Sequence, residues 1–419
     1  MIVWSALSLY FWTTATLFLA KYPLHSLAFH LLPQKQKIVT MTKTKTSVQA
    51  SAQPDGSPSQ ESPLSPQRIH RDEFLSNLIH AALHGSETIA LLSDTARNGE
   101  IQFKEEGDAR SAMTVADTSA QRVIVSSILG VYPTLNVVGE EDESVEVDSE
   151  FQKGLRDDLL EGYEWTGPLS GNGIGDEPPT ELDISQVVVY VDPLDGTREF
   201  VEGRLANVQC LIGVCYGGQP IMGAIGLPFP TNEANSTEVV FGLVGKGIGK
   251  VCIVKSSSND GAAPSKVTQC PLPELKQHQN GDTVYISSGD SSYVVPAVNL
   301  AEKIFDSKGV VRQSHGATGN KLLRVTYGQT TLTLLHDKTN LWDTAAPTAL
   351  LSAMGGMVTD YFGDPLIYTS NEYRNRFCVV ASSPGARQEH LEMVKAMRSD
   401  EATLSMLEKF GLKRVEDGK

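Results

Sequence analysis

Two acidic side chains, three positions apart, follow directly after a strongly apolar segment of the chain. Valines dominate residues 187–191, which predicts a buried strand, and Asp192-Pro-Leu-Asp-Gly-Thr197 comes next. Two carboxylates held so close repel each other unless a cation lies between them, and the Leu194 carbonyl adds a third oxygen. Oxygen ligands of this kind suit Mg²⁺. The alternative is an ordinary turn with acidic residues, because Asp, Pro and Gly are common in turns.

Two other segments place acidic residues at the ends of predicted elements, far away in the sequence. Residues 136–142 predict a strand that ends in acids, and Asp343 lies near the start of an apolar helix. Taken singly, Glu140–Asp142 fits a solvated acidic loop and Asp343 fits a helix N-cap. Local turn chemistry does not explain acids at three distant element ends. One shared metal centre does.

These three segments occur in the same order in the lithium-sensitive, magnesium-dependent phosphatases of the inositol monophosphatase superfamily. The matching residues are Gly139-Glu140-Glu141, the segment 192–197 and Trp342-Asp343-Thr344-Ala345. The sequence resembles this family over about residues 70 to 400. The resemblance implies a layered α-β-α-β-α sandwich of the inositol monophosphatase and fructose-1,6-bisphosphatase type. It also implies sensitivity to lithium.

The resemblance further implies which residues hold metal and which activate water. Two or three Mg²⁺ ions are expected in a site of this class. By resemblance, their ligands are Glu140, Asp192, the Leu194 carbonyl, Asp195 and Asp343. Thr197 would orient the nucleophilic water through its hydroxyl, and Asp117, from Thr114-Val-Ala-Asp117, would be the base behind it. A helix N-cap is the alternative for Asp117, because 118–129 predicts an amphipathic helix. We rank Asp108 and Glu141 below Asp117 as the base.

Within the superfamily, the flanking segments are most similar to those of the 3′(2′),5′-bisphosphate nucleotidases. That resemblance predicts hydrolysis of the 3′-phosphate of 3′-phosphoadenosine 5′-phosphate, and of its sulfated analogue, which belongs to sulfur metabolism. Inositol polyphosphate 1-phosphatase also has a long insertion, like the one near residues 143–184, and is an alternative. The inositol monophosphatases, which are shorter there, are another. A nucleotide- or metal-binding protein without turnover is the alternative from a different class.

Substrate contacts are predicted by resemblance at Thr197, Ser288, Lys321 and Asp343, and by its position at Arg324, as a reinforcement of Lys321. Lys321 lies at a predicted helix start, where backbone amides favour phosphate, and Arg324 follows one turn later. A solvated surface lysine is the alternative for Lys321. In the loop 287–292 the family nucleotidases usually have a histidine, whereas this chain has Asp290. The chain departs from the family at these nucleoside contacts, and His315 is a candidate substitute.

Composition fits a soluble enzyme with a large core, and the resemblance implies a small phosphorylated molecule as its substrate. The 419 residues are 40% hydrophobic, which suits two packed layers or subdomains. With 50 acidic and 35 basic residues the net charge is −15, so local cations must attract an anionic substrate. No basic patch with interleaved aromatic residues occurs in the sequence, which argues against nucleic acid as a partner. The five cysteines lack metal or redox spacing and predict buried thiols. Oligomeric state is not indicated.

Residues 1–67 are predicted to be a targeting or disordered segment. Ile2–Ala20 is apolar and close to the length that spans a bilayer. The lysines of 35–45 precede the first acid, Asp55, as in an organellar transit region. Plastid or mitochondrial targeting is therefore one expectation, with membrane contact only if the apolar segment is retained. A cytoplasmic product that starts at Met41 is the other.

The remaining chain is predicted to form an α+β subdomain over 68–290, which carries the metal motifs, and an α/β subdomain over 291–419, which completes the active site. Apolar residues at helical spacing predict helices near 69–94, 117–130, 293–306, 319–328, 343–354 and 385–410. Strands are predicted near 134–138, 186–191, 206–216, 219–227, 238–244, 249–254, 283–288, 309–313, 331–336, 356–361 and 376–381. The glycine-rich segment 242–249 is predicted to connect two of them as a hairpin.

Overall fold

The computed structural model describes residues 67–98, 102–103, 112–141, 147–169, 175–230, 236–254, 266–289, 294–336, 338–369, 373–375 and 377–409. Residues 63–419 belong to one compact unit. The predicted targeting segment, apart from Gln67, lies outside the described residues, as do Asp108 and Asp290. Among the helices that the structure describes, none is both long enough and apolar enough to cross a membrane.

The described helices are Arg71–Asn98 (α1), Val115–Val131 (α2), Thr197–Val201 (α3), Val295–Ile304 (α4), Thr318–Thr326 (α5), Leu341–Ala353 (α6), Arg387–Met397 (α7) and Glu401–Lys409 (α8). The first strands are Arg68–His70 (β1), Gln102–Phe103 (β2), Ala112–Met113 (β3), Asn136–Gly139 (β4), Glu181–Asp183 (β5), Val187–Asp195 (β6), Gln209–Tyr216 (β7) and Gln219–Leu227 (β8). The others are Ser236–Leu243 (β9), Gly247–Val254 (β10), Val267–Gln269 (β11), Val284–Ser288 (β12), Val310–Ser314 (β13), Leu332–Leu335 (β14), Met357–Thr359 (β15) and Val379–Ser382 (β16).

Most predicted elements are confirmed within a few residues. The first helix begins at Arg71 and not at Ile69, because Ile69 and His70 pair with β5 as the short strand β1. The predicted hairpin at 242–249 is confirmed, since β9 and β10 are antiparallel and Leu243 lies opposite Gly247. The short strands β1, β2, β3, β5 and β11 were not predicted. Two or three residues are too few to show an alternating pattern.

Seven strands form the larger sheet, in the order β11-β10-β9-β8-β7-β6-β4. All neighbours are antiparallel except β4 and β6, which are parallel, so these two strands end at the same edge of the sheet. On β6, Val187, Val189 and Val191 pack in the core with α1 and α2, whereas Val188 and Tyr190 pack with α5 and α6. Burial of both faces explains the continuous apolar segment.

Five strands form the second sheet, in the order β13-β12-β14-β16-β15. Strands β13, β12 and β14 are parallel, and β16 is antiparallel to both of its neighbours. Residues of α4, α7 and α8 pack on one face of this sheet, in the core that contains Val284, Leu332 and Met393. Residues of α5 and α6 pack on the other face and also on the seven-stranded sheet.

The layers are therefore α1 and α2, the seven-stranded sheet, α5 and α6, the five-stranded sheet, and α4 with α7 and α8. This order confirms the predicted α-β-α-β-α sandwich. Helix α6 lies directly on the larger sheet because Gly213 and Gly223 lack side chains there. A Cβ at Gly213 would lie 2.4 Å from the Ala346 nitrogen, and one at Gly223 would lie 2.8 Å from the Ala346 Cα. The predicted subdomain boundary near residue 290 falls just after β12, the first strand of the second sheet, and stays a prediction.

Candidate active site

The parallel pairing of β4 and β6 brings two of the predicted ligands together. Gly139 lies opposite Val191, and the Glu140 amide donates a hydrogen bond to the Val191 carbonyl at 3.0 Å. Glu140 and Asp192 are therefore the next residues along two adjacent strands. Both side chains line a cavity of about 570 Å³.

A bulge in β6 adds Asp195 to the same wall. Asp192 pairs with Leu211 on β7 and Asp195 pairs with Gln209, so two residues of β6 lie opposite one residue of β7. In a regular strand, side chains three positions apart point to opposite faces, and the extra residue changes that alternation. The Leu194 amide donates to Asp192 Oδ1 at 3.0 Å, which fixes the turn. Leu194 also lines the cavity.

Asp195 is held by the first turn of α5. Its Oδ1 accepts from the Thr318 amide at 3.1 Å and its Oδ2 accepts from the Gly319 amide at 2.6 Å. A Cβ at Gly319 would lie 2.8 Å from Asp195 Oδ2, so glycine permits this close approach. The free amides of a helix start favour negative charge. The Asp195 carboxyl therefore has a fixed position between the two halves of the fold.

Asp343 is held by the start of its own helix. Asn340 is the N-cap of α6, and Asp343 is the third helical residue, whose Oδ2 accepts from the Asn340 amide at 2.8 Å. The interpretation of Asp343 as the N-cap is therefore wrong by three positions. The capping box satisfies the N-cap amide with a side chain that is aimed back along the helix. This direction places Asp343 in the cavity wall with Asp192 and Asp195.

Asp117 occupies the equivalent position in α2. Thr114 is the N-cap and Asp117 the third helical residue, so the N-cap interpretation is wrong here too. Asp117 Oδ2 accepts from the Thr114 amide at 2.7 Å and from the Thr114 hydroxyl at 2.6 Å. The other oxygen, Oδ1, accepts from the Thr197 hydroxyl at 3.0 Å. The structure thus joins the two residues predicted to activate water.

Burial and mutual repulsion dominate the electrostatics of these acids. Burial, and then the nearby Glu140, raise the pKa values of Asp192 and Asp343 well above the usual range. Burial raises the pKa of Asp195 to about 6, although the charge of Lys321 opposes the rise. Burial also raises the pKa of Asp117 to about 6, against the hydrogen bonds from Thr114. Charges this close need a cation to be stable together.

Comparisons with known proteins agree with this geometry. Residues 71–399 match the sequence profile of the inositol monophosphatase family. The chain belongs to the inositol monophosphatase family. It is 30% identical over 280 residues to the human protein named 3′(2′),5′-bisphosphate nucleotidase 1, which covers 64% of this chain and 78% of the relative. It is 24% identical over 330 residues to zebrafish inositol monophosphatase 3, with 78% and 84% covered.

The structural comparison supports the fold. The crystal structure of the extragenic suppressor protein suhB from Bartonella henselae is similar with a TM-score of 0.50 and 18% identity, over 76% of this chain and 96% of that one. Family membership and the relatives together identify the chain as a phosphatase, a hydrolase of phosphate esters.

The predicted ligands fit a hard cation in this family's site. Glu140, Asp192, Leu194, Asp195 and Asp343 all line the cavity, and they offer only oxygen, which Mg²⁺ prefers. Burial and mutual repulsion raise the pKa values of Asp192, Asp195 and Asp343, and a cation held among them would offset that repulsion. Within the described residues, no group of three or more His, Cys, Asp or Glu side chains is arranged so that it could hold a metal ion. Mg²⁺ commonly takes several ligands from water or substrate phosphate.

Lys321 lies in the cavity wall close to the acids, and it is not the solvated surface lysine of the alternative. It is 6% exposed, and its Nζ donates to the Ala317 carbonyl at 2.8 Å. Ala317 has a φ of 62°, a left-handed conformation that is unusual for a residue with a Cβ. The strained backbone at Ala317 therefore turns its carbonyl towards Lys321 at the start of α5.

Ser288 and Arg324, which were predicted to contact the substrate, are not among the residues that line the cavity. Ser288 ends β12 beside Gly289, which does line the cavity. Arg324 lines a separate, smaller cavity. Glu141, which ranked below Asp117 as the base, is buried and is not among the residues that line the cavity. The substrate roles of Ser288 and Arg324 stay predictions.

The cavity wall also contains basic side chains that sequence reasoning missed. Arg204 and Asn207 both donate to Glu199, which packs against Gly316 in the wall. The other basic side chains of the wall are Arg198, His315, His336 and Lys338. Of these, only His315 was a candidate from the sequence. Arg198 follows Thr197 directly, and Lys338 lies two residues before Asn340, the N-cap of α6. Their closeness in sequence to the metal motifs could have identified these two side chains as part of the site.

Proposed function

We propose that the protein is a Mg²⁺-dependent phosphatase that removes the 3′-phosphate of 3′-phosphoadenosine 5′-phosphate. The sulfated analogue, 3′-phosphoadenylyl sulfate, is a second proposed substrate, and the products are AMP or adenylyl sulfate and phosphate. The observation that carries the proposal is the hydrogen bond between Thr197 and Asp117, at 3.0 Å, beside Asp192 and Asp195. A hydroxyl paired with a buried acid next to a cation site is the arrangement that ester hydrolysis by water requires.

In the proposed reaction, the Thr197 hydroxyl donates its hydrogen to Asp117, so its lone pairs can accept a hydrogen from the attacking water. The Thr114 amide and hydroxyl fix the other Asp117 oxygen, which keeps the carboxyl in place. Because its pKa is about 6, Asp117 is ionised at neutral pH and can take the proton. Mg²⁺ held by the acids would stabilise the charge of the phosphoryl oxygens and acidify the water. Lys321 adds a fixed positive charge for the phosphate.

The nucleotide substrate is supported by the basic wall and by the human relative. Arg198, Arg204, His315, His336 and Lys338 line the cavity. Arg198 pairs with Glu202, and Arg204 pairs with Glu199 and Glu202, so a second anionic group of the substrate would compete with these glutamates for the arginines. The human protein carries the name of a bisphosphate nucleotidase. The zebrafish relative is named an inositol monophosphatase, so inositol phosphates are the second candidate class.

One assay separates these candidates from a protein without turnover. Phosphate release is measured from 3′-phosphoadenosine 5′-phosphate and from inositol 1,4-bisphosphate, with Mg²⁺ and with a chelator. We expect release from the nucleotide only when Mg²⁺ is present. Preference for the inositol ester would overturn the substrate, release with the chelator would overturn the metal, and no release from either would overturn the enzyme. Added Li⁺ at fixed Mg²⁺ tests the lithium sensitivity that the family implies.

We also propose organellar targeting by residues 1–67. The support is the sequence pattern alone: an apolar start followed by lysines without acids. A fluorescent fusion of the full chain should enter a plastid or mitochondrion, and a fusion that starts at Met41 should stay in the cytoplasm. The same distribution for both fusions would contradict the proposal.

A further inference from the structure

One wall of the cavity comes from a single place in the chain, the connection between β14 and the first turn of α6. It contributes His336, Lys338, Asn340 and Asp343. The backbone of this connection therefore decides where the Asp343 carboxyl lies relative to the other acids. Whatever fixes the connection also fixes one side of the predicted metal site.

A segment far along the chain, residues 373–375, holds this connection through backbone hydrogen bonds. The Leu341 amide donates to the Tyr373 carbonyl at 2.6 Å, and the Asn375 amide donates to the Thr339 carbonyl at 2.9 Å. Leu341 is the first residue of α6, where a backbone amide has no partner within the helix. The segment therefore satisfies a group that the helix itself leaves open.

The Asn375 side chain adds donors on the same side. Asn375 is 3% exposed, and its Nδ2 donates to the Asn340 carbonyl at 2.8 Å. The Thr339 and Thr344 hydroxyls accept from the same nitrogen at 3.2 and 3.3 Å. Because a carbonyl can only accept, the NH₂ group must face Asn340. The Asn375 Oδ1 atom is left buried, and it has no hydrogen-bond partner among the described residues.

This chain of hydrogen bonds ends at a carboxyl that is predicted to bind metal. Asn340, whose carbonyl accepts from Asn375, also donates its amide to Asp343 Oδ2 at 2.8 Å. A displacement of Asn340 therefore displaces Asp343. Mg²⁺ demands nearly ideal octahedral geometry, so a small movement of one carboxylate weakens its binding. Groups that hold a metal ligand in place are accordingly worth roughly 10- to 100-fold in metal affinity.

We propose that Asn375 is a positioning residue for the metal site, which acts through Asn340 to hold the Asp343 carboxyl in place. This inference rests on the proposed function, since it takes Asp343 as a ligand of Mg²⁺. Asn375 is not among the residues that line the cavity, so its effect is on the ligand and not on the substrate.

Metal binding without substrate tests the proposal. Asn375→Leu removes the donors at similar size and adds no charge. The probe is Mn²⁺, which accepts the same oxygen ligands as Mg²⁺ and whose free form is counted by electron paramagnetic resonance. We expect Mn²⁺ to bind roughly tenfold or more weakly to this variant. Asn375→Ala removes the same donors with less crowding, and it gives the same test if Asn375→Leu does not fold.

Asn77→Leu is the matched control. Asn77 is 4% exposed, and its Nδ2 donates to a backbone carbonyl, that of Arg156, at the same distance of 2.8 Å. It lies in α1, and it is not among the residues of the cavity wall. Both variants should unfold at lower urea concentration than the unmodified protein, and only Asn375→Leu should lose Mn²⁺ affinity. An equal loss in both would make the effect a general one of stability and overturn the proposal.

The Mg²⁺ dependence of turnover separates positioning from a merely structural role. In Asn375→Leu the Mg²⁺ concentration for half-maximal rate should rise roughly tenfold or more, and kcat at saturating Mg²⁺ should recover to within about threefold. A lower kcat with an unchanged Mg²⁺ requirement would show only a smaller folded fraction, and the proposal would fail.

A double variant tests the route through Asp343. Because Asn375 is proposed to act on this carboxyl alone, adding Asn375→Leu to Asp343→Asn should not weaken Mn²⁺ binding further. A second loss of about tenfold would mean that Asn375 acts by another route. An unmodified protein that neither binds Mn²⁺ nor releases phosphate would overturn the proposed function, and this inference with it. Normal activity of the unmodified protein, with equal Mn²⁺ affinity in Asn375→Leu, would overturn this inference alone.

Discussion

Asp117→Asn should abolish most turnover for a reason specific to the hydrogen bonds around this residue. The Thr114 backbone N–H, 2.7 Å from Asp117 Oδ2, can only donate. An asparagine must therefore turn its carbonyl oxygen towards Thr114 and its NH₂ group towards the Thr197 hydroxyl. That hydroxyl would then accept from position 117, and its own hydrogen would point at the Leu194 carbonyl, 3.3 Å away, or at the water. Position 117 no longer accepts the Thr197 hydrogen, and the base is lost.

The expected size follows from what a positioned base contributes. General acid–base catalysis is worth roughly 10²- to 10⁴-fold. We therefore expect kcat to fall by about that factor, which is about 3 to 5 kcal/mol of transition-state energy. KM should change by less than about threefold, because Asp117 does not line the cavity in which the substrate would bind. Stability should change by about 1 kcal/mol or less, since a neutral amide is easier to bury than a carboxylate and still accepts from Thr114.

The assay is steady-state release of phosphate from 3′-phosphoadenosine 5′-phosphate at saturating Mg²⁺. Asp306→Asn makes the same chemical change at an exposed position and should keep full activity. Thr197→Ser keeps the hydroxyl and should retain at least a tenth of the activity, whereas Thr197→Ala should resemble Asp117→Asn. A kcat within threefold of the unmodified protein for Asp117→Asn would refute the reasoning. So would a loss expressed only in KM, because that result would make Asp117 a binding residue.

Three further predictions concern the acids, the core and pH. Lys321→Gln should raise KM at least tenfold, and it should also raise the pKa of Asp195, because the Lys321 charge opposes that rise in the unmodified protein. Steady-state kinetics measure KM, and carboxyl titration by NMR measures the pKa. An unchanged KM would contradict a contact between Lys321 and the substrate phosphate. Gly213→Val should cost about 3 kcal/mol or more, because its Cβ would lie 2.4 Å from the Ala346 nitrogen; urea unfolding measures it, and a cost below about 1 kcal/mol would show that α6 can move away. Burial lowers the pKa of His390 to about 4. As the pH falls below about 6.5, this histidine therefore binds a proton in the unfolded chain but not yet in the folded chain. Stability is then fully present above that pH and falls by about 3 kcal/mol down to pH 4. Urea unfolding across this range should show a smaller loss in His390→Gln, and an identical pH dependence would refute the assignment.

The parts of the fold that sequence could predict are those in which a single pattern covers a whole element. Residues 187–191 are apolar on both faces because helices cover both faces of β6, and no turn residue interrupts them. The hairpin of β9 and β10 has glycines where the chain reverses. The two-residue strands β2 and β3 are too short to show such a pattern, and they form only by pairing with each other. Sequence could not identify them for that reason.

The candidate site divides in the same way. The motif around Asp192, taken with the acids near Glu140 and Asp343, predicted a cluster of acids, because local turn chemistry does not explain acids at three distant element ends. It did not predict the bulge that brings Asp192 and Asp195 to one wall, since a bulge depends on how β7 pairs. Nor did it predict that Arg324 lines a different cavity from Lys321. Lys321 and Arg324 are three residues apart, which places them close together on helix α5. Which cavity each side chain lines depends on how α5 packs against the rest of the protein.

Asp117 and Asp343 show how one local device, the capping box, can bring a carboxyl to the candidate site from a distant part of the chain. Each is the third residue of a helix, and each gives its Oδ2 to the amide of the N-cap three residues earlier, Thr114 or Asn340. A carboxyl has two oxygens, so the capping box fixes one and leaves the other for a partner outside the helix. For Asp117 that partner is the Thr197 hydroxyl, and for Asp343 it is the Asp192 side chain. The cap that begins each helix therefore also aims its acid, which makes a rigid site possible from residues far apart in sequence.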